Sequence, residues 1–150
     1  MRRPTRRTSP VAIALLASLT VLALLTFSSA ALASKSATPA QVKALTSAIH
    51  ATPVAAINKI PANRYRVSRV RISTVSKAWA TASLVPTKRA QDTFQSSYVV
   101  AVRPAGTSTW VVVDVGSAEV GCGIAPDPVL ADLLGLKTGE QPCPPGEGIS

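Results

Sequence analysis

Seventeen consecutive residues without a charge, Val11 to Phe27, decide how much of this chain is free to build a globular core. They are mostly Ala, Leu, Val and Ile. Ten residues holding four arginines (Arg2, Arg3, Arg6, Arg7) and no acid precede them, and the small residues of Ser28 to Ala33 follow, ending in Ala31-Leu32-Ala33. A basic start, an apolar middle and a small-residue exit are the parts of a secretory signal peptide. The arginines stay at the cytoplasmic face, the apolar run enters the translocation channel, and the peptidase needs small side chains at the two positions that fill its pocket. The pattern predicts cleavage after Ala33, with Ala31 as the second choice. Retention as a membrane anchor would call for about 20 apolar residues, more than the run supplies. No cysteine stands near the exit, so a lipid-modified start is excluded. Thr8-Ser9-Pro10 follows Arg6-Arg7 where twin-arginine export uses apolar residues, so the general secretory route is expected.

Removing residues 1–33 leaves 117, enough for one domain with a modest core. This part carries twelve Lys/Arg against seven Asp/Glu, a net charge of +5. Its two cysteines, Cys122 and Cys143, face an oxidising compartment after export, and an even count there reads as one disulfide. Closing that loop should contribute about 3 kcal/mol. Two lone cysteines lack the further ligands of a metal site.

Ser34 to Ala37 reads as a flexible leader. Thr38-Pro39-Ala40-Gln41 then starts a helix, with Thr as cap, Pro at the first position and Gln closing a capping box. Val42, Leu45 and Ile49 fall on one face, and the helix should end near His50 because Thr52-Pro53 follows. A second short helical turn is expected through Val54, Ile57 and Ile60. From Arg64 the period changes to two. Tyr65 and Val67 alternate with arginines, as do Val70 and Ile72, and the phase slips by one near Ser68-Arg69, which predicts a bulge. Ala78 to Val85 is the next strand, with alanines on one side and Trp79, Thr81, Ser83 and Val85 on the other. Ser96 to Arg103 and Thr109 to Val115 form a hairpin around a Pro-Ala-Gly loop. Asp127-Pro128 is expected to cap a short helix that Gly135 ends. The tail around Pro142-Cys143-Pro144 is too rich in proline for helix or inner strand. The expected fold is α+β: an N-terminal helix on a four-stranded antiparallel meander, a short C-terminal helix and a disulfide-tied tail, as one domain over 38–150.

The runs Val67-Ser68-Arg69-Val70-Arg71-Ile72-Ser73, Ala78-Trp79-Ala80-Thr81-Ala82, Tyr98-Val99-Val100-Ala101-Val102-Arg103 and Trp110-Val111-Val112-Val113-Asp114-Val115-Gly116, followed by Gly121-Cys122-Gly123 and Pro126-Asp127-Pro128-Val129, carry a resemblance. Together, from about Val67 to Leu134, they resemble a group of small uncharacterised secreted proteins of high-GC Gram-positive bacteria. The Trp110 to Gly116 strand also looks like the last strand of cystatin-like and NTF2-like α+β domains. The likeness implies an architecture and an extracellular address, and it brings no catalytic residues with it.

No pattern points to catalysis. The lone histidine, His50, sits at a helix end where it suits the last carbonyls. A serine or cysteine nucleophile would need a base beside it, and paired carboxylates would have to come from Asp92, Asp114, Glu119, Asp127, Asp132, Glu140 and Glu147. Of these, only Asp114 lies in a strand, where a neighbouring arginine is its expected partner. No His/Asp/Glu cluster suits a metal, and no cofactor is implied.

Charge distribution is the informative feature. Ser34 to Gln91 holds ten Lys/Arg and no acid, whereas Asp92 to Ser150 holds two against seven. With the bulge, Arg64, Arg66, Arg69 and Arg71 share one solvent face, near Lys77, Lys88 and Arg89. Such a stripe suits an anionic envelope polymer or another acidic extracellular partner. It equally suits pairing with the C-terminal acids, or protection of an edge strand. Aromatic residues are too few for stacking on nucleic acid. Membrane contact is expected only through an uncleaved signal segment. Trp79 packs in the core if the face assignment is reversed; otherwise it is a candidate anchor for a protein partner, which gives the alternative reading of an inhibitor or accessory protein acting on an enzyme. The expectation is a secreted, non-enzymatic binding module.

Overall fold

The computed structural model describes residues 34–53, 57 and 59–146. The expected signal segment with its cleavage site after Ala33, part of the expected second helical turn and Glu147 lie outside the described residues.

Five strands form one antiparallel sheet in chain order: β1 (Lys35–Ser36), β2 (Tyr65–Ile72), β3 (Trp79–Pro86), β4 (Ser97–Val102) and β5 (Val111–Gly116). Helix α1 (Pro39–Ala51) intervenes between β1 and β2, and helix α2 (Asp127–Leu134) follows β5. The expected α+β class is therefore present, with two corrections to the expected arrangement. The sheet has five strands rather than four, and the leader supplies the extra one. Lys35 pairs with Ile72 and Ser36 with Arg71, and the Ala37 N–H continues the ladder to the Val70 carbonyl at 3.1 Å. A two-residue strand has no period to read. It is ordered by the free edge of β2 and not by its own sequence.

Helix α1 begins as its capping box requires, with Thr38 Oγ1 accepting from the Gln41 N–H and Gln41 Oε1 from the Thr38 N–H. Leu45 and Ile49 are fully buried and meet Val70, Ile72, Ala80, Ala82, Leu84, Val99 and Ala101 across the first sheet face. The alanines of β3 leave the depth that the helix fills. Burying each of the two large α1 side chains contributes about 1.5–3 kcal/mol.

The other sheet face is covered as well, and this is the second correction. Beneath α2 and the C-terminal tail, Val100, Val120, Ala125, Leu130 and Cys143 form a second cluster, joined by half-buried Trp79, Val113 and Cys122. The Cys122–Cys143 disulfide (Cα–Cα 5.6 Å) fastens the tail over it, and a disulfide of this kind belongs in an oxidising compartment. Thr81 and Ser83, which alternate as solvent-side residues would, are buried here. Gly121 makes the close packing possible. Its φ is +89°, and a Cβ there would stand 3.1 Å from both Leu130 Cδ1 and Val100 Cγ2. Helix α2 starts one residue earlier than expected, with Pro126 at the cap and Asp127 in the first turn, and Gly135 closes it at φ +71°. Among the described residues, no helix is long and apolar enough to cross a membrane.

Candidate functional site

The basic residues of β2 take their places from the bulge. Register is continuous from Tyr65–Pro86 to Ser68–Ser83 and resumes at Arg71–Thr81. Tyr65, Val67, Val70 and Ile72 accordingly all face the α1 core despite the slipped phase. Arg66 and Arg71 stand on the opposite face, in the rows of Val85 and Thr81. Arg69 occupies the bulge itself at φ +50°, a left-handed conformation that side-chain-bearing residues rarely adopt. Arg66 and Arg69 are exposed and Arg71 is half-buried. Arg64 lies outside the strand, in a single 3-10 turn (Ala62–Arg64), where its Nη1 donates to the Arg89 carbonyl at 3.1 Å. The stripe is thus three residues on or beside one face, with Arg64 at its end.

Arginine partners are main-chain oxygens. Arg71 Nη2 donates to the Ser34 carbonyl at 3.0 Å, which ties β2 to the residue just before β1. Arg103 Nη2 donates to the Lys77 carbonyl at 3.3 Å, and the same guanidinium lies 5.3 Å from the Trp110 ring centroid.

The carboxylates turn to their own loops. Asp114, expected beside an arginine, accepts instead from the Val115 N–H at 2.7 Å and the Gly121 N–H at 2.6 Å, holding the glycine loop against the end of β5. Asp132 accepts from Ser73 and Thr74 in the β2–β3 turn. Glu140 accepts from the Lys137 N–H at 2.9 Å. Among the described residues, these carboxylates and guanidiniums are thus engaged by main-chain and hydroxyl groups. Nothing in the order of residues announced the Asp132 contact, because a lone aspartate in a short amphipathic helix carries no sign of what it faces.

Trp79 pairs with Val102 on the α2 side of the sheet and packs against the second cluster, half-buried. Part of its ring serves the core and part remains accessible. His50 is exposed and meets Tyr65 edge-on, with ring centroids 5.7 Å apart. Burial pushes the Tyr65 phenol above its usual ionisation range. Among the described residues, no group of three or more His, Cys, Asp or Glu is placed to hold a metal ion.

One recess lies on the arginine face. Between β2, β3, β4 and the end of α2, a cavity of about 190 Å³ is lined by Arg69, Arg71, Ser83, Tyr98, Leu133 and Leu134, among others. Tyr98 and Leu134 are 43% and 40% exposed, high for large side chains beside a core. The recess exists because α2 covers only part of the second face. Sequence periodicity located its arginines but not the helix that roofs it. Comparison with known protein families, curated proteins and solved structures finds no match to this chain.

Proposed function

We propose that this chain is an exported, non-enzymatic binding module that engages an anionic partner of the cell envelope through the arginine face of β2. The observation that carries the reading is the direction of the hydrogen bonds. Arg64 and Arg71 donate to main-chain carbonyls, while Asp114, Asp132 and Glu140 accept from main-chain N–H and hydroxyl groups. Positive charge on β2 is left open to solvent at Arg66 and Arg69, where an anionic polymer can reach it. Export is supported by the basic, apolar and small-residue segments of residues 1–33 and by a disulfide suited to an oxidising address. The likeness to small secreted proteins of high-GC Gram-positive bacteria points the same way.

The test is co-sedimentation of the purified chain with an envelope fraction from its host at several salt concentrations. Association should fall by about tenfold or more between about 50 and 200 mM salt, as contacts made by several exposed cations do. Changing Arg64, Arg66 and Arg69 together to Gln should remove most of it, with Arg71 left in place because it holds Ser34. Association that ignores both salt and the triple change would sink the proposal.

A further inference from the structure

The recess beside α2 has features that a merely basic surface does not need. At about 190 Å³ it is somewhat larger than a cavity of about 150 Å³ that accepts benzene, and smaller than the roughly 300 Å³ at which sites for drug-sized ligands begin. It has room for one ring or short chain and its head group. Ser83, on the central strand, is 7% exposed and lines the groove. Its neighbour Thr81, equally buried, donates to the Val99 carbonyl at 2.9 Å. Ser83 therefore brings a hydroxyl to the groove wall beside the arginines. Arg69 reaches the same groove only by holding φ at +50°, and backbone strain of that kind persists where surroundings and ligand contacts demand it.

The chemistry of the walls narrows the ligand. Arg71 already gives one N–H to Ser34, so the groove offers one unengaged guanidinium and the remainder of a second. Hydroxyls of Ser83 and Tyr98 and the side chains of Leu133 and Leu134 make up neutral wall. Donation to a neutral carbonyl leaves the charge of Arg71 intact, and the apolar part of the wall favours an anion carried on an apolar body over a fully hydrated one such as inorganic phosphate. The two oxygens of a carboxylate match a guanidinium fork.

We propose that the groove takes a single carboxylate borne on a short apolar or aromatic body, with the carboxylate on Arg69 and Arg71 and the body between Tyr98 and Leu134. This deepens the binding reading above and rests on it.

The experiment is an NMR titration of the 15N-labelled full chain with sodium acetate, hexanoate, benzoate and inorganic phosphate at constant ionic strength. Hexanoate and benzoate should give saturable shifts at the amides of Ser83, Tyr98 and Leu134, at least tenfold tighter than acetate or phosphate. Arg69→Gly should weaken hexanoate at least tenfold without lowering the thermal midpoint, and Tyr98→Ala should weaken benzoate to a similar degree. Arg66→Gln, outside the groove, should leave hexanoate unchanged while lowering envelope association. Envelope binding that survives the triple arginine change, with tight hexanoate binding by the unaltered chain, sinks the polymer reading alone. Equal affinity for acetate and hexanoate, tighter binding of phosphate, or an unaltered Arg69→Gly titration overturns the groove assignment alone.

Discussion

Replacing Asp132 by alanine should lower the thermal midpoint by roughly 12–24 °C, a figure that follows from the contacts its carboxylate makes. Asp132 is buried on α2. Oδ2 accepts from Ser73 Oγ and from the Thr74 N–H, both at 2.7 Å, and Oδ1 accepts from Thr74 Oγ1 at 3.1 Å. A single side chain thus pins the β2–β3 turn to the helix covering the second sheet face. Hydrogen bonds to a charged group contribute about 1.5–3 kcal/mol each, so the two short ones together are worth about 3–6 kcal/mol. Over the 117 residues from Ser34 onward, an unfolding entropy of about 2.1 cal/mol/K per residue converts each kcal/mol into about 4 °C. The loss in free energy is a large share of the 5–15 kcal/mol typical of a domain, roughly a fifth of the stability or more. Asp132→Asn keeps the shape and one acceptor but loses the charge and turns a donor toward donors, so it should cost about half as much. Thermal scans by circular dichroism, with denaturant titration as a second measure, decide the matter. A fall of less than about 4 °C for Asp132→Ala would refute the reasoning, because it would mean the turn is held by something else.

Three further outcomes are expected. Changing Cys122 and Cys143 both to Ser, or reducing the disulfide, should cost about 3 kcal/mol by freeing the tail from the second face, and denaturant unfolding in the presence and absence of reductant measures it. An unchanged midpoint would mean the tail packs without its tie. Arg69→Gly should hold or raise stability by up to about 1 kcal/mol, since relief of the left-handed strain is partly offset by the greater freedom of glycine in the unfolded chain; a clear loss would mean the side chain supports the fold. Burial raises the ionisation of Tyr65 above 10.0, so the stability it contributes is complete below that pH and is lost as pH rises through the folded-state value. Tyrosinate absorbance should therefore show one phenol ionising late, and Tyr65→Phe should flatten the alkaline limb of stability; a limb unaltered by the change would assign it to another group.

How much of this molecule can be read from its order of residues depends on whether a feature is local. Helix α1 was legible because its start is encoded within four residues, Thr38 to Gln41, and its buried face within Leu45 and Ile49. The β2 bulge was legible because keeping Val67 and Val70 on one face requires an extra residue between them, and Arg69 is where it falls. Strand β1 was not, since two residues carry no period and its partner is the edge of a strand about 35 positions away. Thr81 and Ser83 misled for another reason. Alternation marks which face a residue is on; inferring from polarity that this face meets water is a second step. That second step fails when a covering element comes from elsewhere in the chain. The covering element did leave a trace: Val129, Leu130 and Leu133 give α2 an apolar side that must be buried, and with α1 on the first sheet face only the second was free to receive it. That demand sets the arginine stripe beside a helix rather than on an open sheet. The distinction matters for function. An open stripe of guanidinium groups selects only for negative charge, whereas arginines set against the end of α2, with Tyr98 and Leu134 alongside, also select for what the charge is attached to.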